Sequence, residues 1–439
     1  MMPRVLCILA LACLGLMIWP AQCAFAAADE PFLDGAWVQA TQQRIEQVRQ
    51  TPLRLIVLDA DGQPVPGATV RIEQQRHDFV IGLVLGSNEA ALPEALGTDE
   101  PVWRCFNAVS LDRLTDWARL APSPDAEPAW TPLDEIVEQA KRRGLVVRWG
   151  ELIHSDPGRN PPWVGVLRGQ GLRDALEEHV HEVLSRYGWA VDQFDLYTRS
   201  FQHRFIEREL GEPMLRYLYE SAKAQAPRAA MAIRFENALG GGRTPELVQI
   251  VTALRQGAVP LDQVSLDEHI ARPLVQAPLE RALTWLEQIE LEVVLADLEV
   301  GGASEAAAAI NLETLLRTLM AQPVVGGVWF GAVRPAGAAV PDASLLDGQG
   351  KPTRLGRLVD RLFHELWWTS VDAVTDELGN VRTRVFAGTH RIAAILPGGT
   401  LVHTLVYLPR QEEERVVILQ PLTTPPADTQ PAPESSPGA

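Results

Sequence analysis

A chain of 439 residues with 39 basic and 56 acidic side chains carries a formal charge of −17. That balance argues against nucleic acid or an anionic membrane surface as partner and leaves a neutral polymer such as a polysaccharide open. The length exceeds one ordinary domain and suits a single barrel with a small added module.

Residues 1–26 read as a secretory leader: Arg4, an apolar run over 5–19, then the small-residue ending Ala24-Phe25-Ala26. A membrane span needs roughly 20 apolar residues. The run is shorter, so removal is favoured over anchoring, and the expected location is secreted or periplasmic, in a bacterial cell envelope. Cys23 keeps a lipoprotein open, although Gln22 stands where a small residue is usual. Cys7, Cys13 and Cys23 fall within the leader, which leaves Cys105 alone in the mature chain. No intrachain disulfide is then possible, and Cys105 reads as a buried inert thiol rather than a nucleophile.

Residues 33–49 place Leu33, Trp37, Ile45 and Val48 among polar neighbours and fit an amphipathic helix. Two apolar runs, 53–58 and 68–72, flank the turn-forming Asp61-Gly62 and Pro66-Gly67, which predicts a β-hairpin within a β-sandwich. From residue 78 short apolar segments alternate with helical periodicity. The predicted strands are 78–86, 105–111, 145–153, 191–197, 229–235, 263–270, 291–300 and 325–333, with helical stretches such as 133–143, 172–187 and 279–289 between them. Eight alternations predict an α/β fold, a (β/α)8 TIM barrel over 78–366, with a doubly wound open sheet as the alternative.

A helix is expected over 355–366, then strands at 382–386, 390–396, 401–408 and 415–419 with no helices between them. A single hairpin is only marginally stable. Residues 33–77 and 367–420 are therefore expected to build one accessory β-sandwich from both ends of the chain. The tail 421–439, rich in Pro, Thr and Ser, is expected to be disordered.

In such barrels the reacting groups sit at the C-terminal ends of the strands. Gln74-Gln75-Arg76-His77-Asp78-Phe79 with Gly82, Phe106-Asn107 followed by Trp117, Pro162-Trp163-Val164, Gly350-Lys351-Pro352 and Trp367-Trp368-Thr369 stand in an order that resembles bacterial family 10 glycoside hydrolases carrying an N-terminal β-module. The likeness runs from about residue 44 to 408. It implies an ancestry among retaining endo-1,4-β-xylanases, with a general acid/base after strand four and a nucleophile after strand seven. Their chemistry needs two carboxyl groups roughly 5 to 5.5 Å apart.

Against that pattern the catalytic motifs are degenerate. The family's Trp-Asp-Val-x-Asn-Glu falls on residues 194–199, so Arg199 takes the acid/base position and Thr198 the asparagine. Arginine stays protonated and cannot cycle as acid and base. Thr-Glu-Phe-Asp falls on 296–299, which puts the shorter Asp297 at the nucleophile. An Arg199–Asp297 ion pair plugging the old site is expected. The strand-three pattern reads Arg148-Trp149-Gly150-Glu151-Leu152-Ile153-His154, and its sugar-contacting His and Trp are displaced; after strand five stand Arg234-Phe235-Glu236, and after strand two Asp112-Arg113 and Asp116. Gly331 and Arg334 take the strand-eight tryptophan positions, unless a two-residue slip brings Trp329 into one of them. His269 matches, two residues after Asp267, either as a sugar contact or as a structural histidine. Asp195 also matches and reads as architectural, bonding to neighbouring backbone.

His179 and His181 lie i, i+2 on a helical pattern and do not share a face, so no metal site and no cofactor are expected. Residues 240–245 read as a flexible loop opening a helix at Thr244-Pro245 rather than a phosphate loop. Three functions follow from these expectations. One is a non-catalytic, exported pseudoenzyme that binds carbohydrate or an envelope protein, with His269, Glu151, Glu299 and Trp329 as candidate contacts. The second is a divergent retaining glycosidase on a xylan-like polysaccharide, with carboxylates relocated among Asp297, Glu299, Glu151 and Glu207. The third is a purely structural envelope protein.

Overall fold

The computed structural model describes residues 33–86, 93, 96, 100–336 and 338–421. The leader and all but the first residue of the tail lie outside these residues. Among the described residues, fifteen strands follow helix α1 (Gly35–Arg49): β1 (Gln50–Val57), β2 (Thr69–His77), β3 (Val80–Val84), β4 (Ala108–Ser110), β5 (Val146–His154), β6 (Gln193–Thr198), β7 (Ala230–Glu236) and β8 (Gln263–Ile270). Then come β9 (Glu292–Val300), β10 (Val325–Phe330), β11 (Ser370–Val374), β12 (Asn380–Phe386), β13 (Gly388–Ile395), β14 (Leu401–Leu408) and β15 (Arg415–Leu419).

Strands β3 to β10, all parallel, close into an eight-stranded barrel in chain order, which decides against the open sheet. They are barrel strands one to eight. Every residue of β6 is buried, and all of β9 except Glu292, because helices cover the outside while side chains fill the inside. The filling includes Trp329, whose ring lies where a Cβ on Gly82 would stand 2.2 Å from Cδ1, with the Arg148 guanidinium 5.6 Å from the ring centroid. Only glycine at position 82 admits that ring.

The remaining strands make two sheets, β12-β1-β15 and β11-β2-β13-β14, packed face to face over Leu53, Leu55, Val70, Ile72, Val385 and Ile392. The expected β1–β2 hairpin is not formed: the two strands belong to different sheets. The connection over residues 58–68 is long enough to cross between layers, and an alternating strand such as β1, with Thr51, Leu53, Leu55 and Val57 inward, is completed by β12 instead. Strand β11 was absent from the predicted elements.

Arg49, at the end of α1, ties the two parts together. Its buried guanidinium donates to the carbonyls of Met320 at 2.9 Å, Gln322 at 2.6 Å and Val325 at 2.8 Å, groups left open where the helix Glu305–Met320 ends and β10 begins. Burial lowers its pKa to about 9. On the same junction Trp367 is wholly buried and donates its indole N–H to Gln42 Oε1 at 3.1 Å, and Trp368 stacks on His364.

Candidate functional site at the barrel mouth

The C-terminal strand ends surround a cavity of about 880 Å3 whose wall is rich in charged groups: Asp112, Arg113, Glu151, Arg159, Arg234, Glu236, Asp267, His269, Asp297 and Arg334 contribute. Among the described residues, Trp103 is its one Trp, Tyr or Phe ring. Pairing of charges shapes the site. Arg234, on β7, donates to Asp112 Oδ1 and to Asp267 Oδ2, both at 2.8 Å. Asp267 Oδ1 lies 3.3 Å from His269 Nε2, which lies 3.9 Å from Asp297 Oδ1. Arg113, from the turn Asp112–Leu114 after β4, reaches Asp297 Oδ2 at 3.1 Å and Glu299 Oε1 at 2.8 Å. Cation and anion alternate along this chain of contacts.

A buried charge is tolerated only when paired, and the titration of these groups follows from the pairs. Asp297, and after it Asp267, raise the His269 pKa to about 9, so the imidazole is charged at neutral pH. Burial works against ionisation of Asp112, but the Arg234 charge outweighs it and holds that carboxyl at about 2. Glu151 has weaker help: Arg159 is 3.5 Å away and shared with Glu236, and burial pushes its pKa up to about 7. Asp267, His269 and Asp297 offer ligand atoms within 4.8 Å of one another. Arg234 and Arg113 already neutralise the two carboxylates, and His269 is itself protonated, so this donor set suits an internally balanced network better than a divalent cation.

The expected ion pair between Arg199 and Asp297 is not formed. Arg199 turns away from the mouth: its Nε lies 3.0 Å from Glu207 Oε1, and Nη1 donates to the carbonyls of Ser200 and His203. Both residues border a separate groove of about 600 Å3 between the helices Pro213–Gln225 and Thr244–Gln256. Glu207, which also accepts from the Tyr197 hydroxyl at 2.7 Å, is the nearer acid because the helix Phe205–Leu210 follows β6 at once, whereas Asp297 is already taken by Arg113. Glu207 is thereby removed from the set of relocated carboxylates at the mouth.

The other sequence candidates divide in the same way. His269, Glu151 and Asp297 do share the cavity wall. Glu299 is buried beneath it, accepting from the backbone N–H of Ala339 at 2.6 Å and of Val340 at 2.7 Å, so it anchors a loop. Trp329 is fully buried inside the barrel and contributes nothing to the wall. Asp195 is architectural, but through side chains rather than backbone: Arg148 and Ser265 both bond to it, Ser265 Oγ at 2.6 Å. Cys105 is buried, and burial raises its thiol pKa. Arg113 and Arg234 were visible in the sequence only as departures from a pattern, and Arg159 was missed. The signal was there in the excess of acids at strand ends, each of which needs a cation within reach.

Among the described residues no helix is long and apolar enough to cross a membrane. The family model for glycosyl hydrolase family 10 matches residues 73–335. The anti-sigma-I factor RsgI6 of Acetivibrio thermocellus is 24% identical over 363 residues, covering 82% of this chain and 47% of that protein. Endo-1,4-beta-xylanase 2 of Arabidopsis thaliana is 21% identical over 356 residues, 79% of this chain and 32% of its own. The chain thus spans less than half the length of either relative. Among solved structures, native xylanase 10B from Thermotoga maritima superposes with a TM-score of 0.58 at 18% identity, over 66% of this chain and 95% of that one. Xylanase 10B from Thermotoga petrophila in complex with xylobiose gives 0.57 at 17%, over 66% and 94%. With the barrel, its strand order and more than half of the sequence matched, the chain belongs to glycosyl hydrolase family 10.

Proposed function

We propose that this chain is a non-catalytic member of its family, an exported barrel that binds carbohydrate at its mouth without cleaving it. The observation that carries this reading is Arg199. Where a retaining glycosidase needs a carboxyl to protonate the leaving oxygen, the side chain is a guanidinium, and it points out of the cavity towards Glu207. On the opposite side Arg113 ties down Asp297, which lowers the nucleophilicity of its carboxylate. The wall keeps donors and acceptors suited to sugar hydroxyls. Likeness to part of a protein named as an anti-sigma factor is compatible with a scaffold role for such a barrel, and an envelope protein is a second class of partner in this proposal.

The test is to incubate the purified protein with xylan and aryl glycosides while measuring xylo-oligosaccharide binding by calorimetry. Binding without release of reducing ends is the expected result. One observation favours a second reading, a divergent glycosidase: Glu151, with its pKa pushed up to about 7, is a carboxyl still half protonated near neutrality on the same wall as Asp297. Turnover that Asp297→Asn abolishes would establish that reading and overturn the first. Absence of any glycan binding, with no turnover, would instead favour a structural role. Export is part of the proposal, and N-terminal sequencing of the protein from the envelope fraction tests it by showing whether residues 1–26 have been removed.

A further inference from the structure

We infer that the sandwich edge β14 pairs with β14 of a second copy of this chain, making one continuous sheet across a two-fold axis. β14 is the outermost strand of β11-β2-β13-β14 and, among the described residues, has a hydrogen-bonded neighbour on one side only. Its eight residues pair with β13 without a single register shift, so no bulge blunts the edge. Residues 401–408 contain no Asp, Glu, Lys, Arg, Pro or Gly. Natural sheets protect a free edge with such residues, because unpaired backbone N–H and C=O groups invite another strand.

Polarity across the outer face of this sheet runs opposite to that rule. The charges lie inward, where Arg391 on β13 bonds to Glu73 on β2 at 2.7 Å. The edge carries Leu401, Leu405 and Tyr407, exposed by 60%, 67% and 53%, with Ile395 of β13 directly opposite Leu401. The other edge, β11, is only five residues long and bears Asp372, as a protected edge should. A sheet with one guarded and one open edge closes on itself as a pair and does not extend into a filament.

A second copy fits because β14 is complementary to itself. In an antiparallel pairing centred on Thr404, Leu401 meets the partner's Tyr407 and His403 meets the partner's Leu405, so outward residues stay on one face. Copies with a charge of −17 repel one another over most of their surface. This stretch brings no charged residue against its own counterpart.

Sedimentation equilibrium on the full chain from about 1 to 100 μM should show a dimer, and Leu405→Lys, at an exposed position, should weaken it by on the order of 10-fold by replacing the two cross-strand contacts between Leu405 and His403 with solvated charges. Thr404→Cys gives an independent readout. Residues facing each other in an antiparallel pair have Cα atoms about 4.5 to 5.5 Å apart, within disulfide reach, so oxidation should link two chains through this position. A monomer over the whole range overturns the inference. So does a dimer that Leu405→Lys leaves intact, or a Thr404→Cys protein that crosslinks no more than the wild type.

Discussion

Arg113 and Asp297 come from the second and seventh strand ends of the barrel and meet at 3.1 Å, with Glu299 held by the same guanidinium at 2.8 Å. One arginine therefore bridges two almost fully buried carboxylates, and the charged His269, 3.9 Å from Asp297, supplies the second positive charge. Removing one partner of a buried pair costs more than the pair contributes, because the charge left behind has lost its water. Arg113→Ala should destabilise the fold by about 3 kcal/mol in urea denaturation. Adding Asp297→Asn and Glu299→Gln should recover part of that loss. Equal stability of wild type and Arg113→Ala would show that solvent already screens the site.

Restoring carboxyls at the two family positions should not restore hydrolysis. Arg199→Glu places an acid beside Glu207, whose side chain is 5% exposed, so two buried carboxylates would share the space where an ion pair stood. The expected result for Arg199→Glu with Asp297→Glu is no release of reducing sugar from xylan and a loss of about 3 to 5 kcal/mol in stability. Measurable xylanase activity in that variant would mean that the strand-four side chain swings into the mouth when its charge is reversed.

The barrel was legible in the sequence because parallel strands buried on both faces read as apolar runs. The stretch predicted over 263–270 coincides with β8, and 291–300 overlaps β9 at all but one residue. Strand β11 was not legible: Ser370–Val374 is short, half exposed and acidic in the middle, the pattern of a loop as much as of an edge. The two runs that became β1 and β2 looked like a hairpin because sequence proximity carries no information about which layer a strand joins. At the site, the positions could be read but the partners could not. Arg113 and Asp297 are 184 residues apart, and only closure of the barrel brings them together. Arg199 found Glu207 instead because the helix that follows its strand supplies an acid within eight residues.

His269 should make the fold less stable as pH rises above neutrality. Its pKa is raised from 6.5 to about 9 by Asp297 and Asp267, so the folded state holds this proton more tightly than the unfolded chain. The stabilisation is complete below pH 6.5 and disappears between 6.5 and 9. Glu151 and Glu268, raised to about 7, lose their protons in the lower part of that window and lower stability in the same direction, so the imidazole stands alone only above about pH 8. Denaturation at pH 8 and pH 9 should therefore show a loss of up to about 1.4 kcal/mol per pH unit, and His269→Gln should flatten it. An unchanged slope in that variant would place the responsible proton elsewhere.

Glu268 should control how readily the loop over residues 237–243 opens. The carboxyl, fully buried on β8, accepts from the backbone N–H of Leu239 at 2.7 Å and of Gly240 at 3.0 Å, and it tethers this segment to the barrel rim beside the bond from the Asn237 N–H to the Asp267 carbonyl at 2.7 Å. Two effects oppose each other here. An ionised carboxylate is the better acceptor for two N–H groups, but burial penalises its charge, and burial wins, raising the pKa from 4.5 to about 7. Opening returns the group to water and to its ordinary pKa, so the closed loop binds the proton more tightly than the open one. Raising the pH from about 5 to 8 must then favour opening. Hydrogen exchange at Leu239 and Gly240, corrected for the intrinsic rate, should speed up by between about 10-fold and 100-fold over that range, while Glu268→Gln, which cannot ionise, should show no such dependence. Exchange that slows with rising pH would mean that the charge-assisted hydrogen bonds outweigh desolvation, and that the loop is latched by the ionised form.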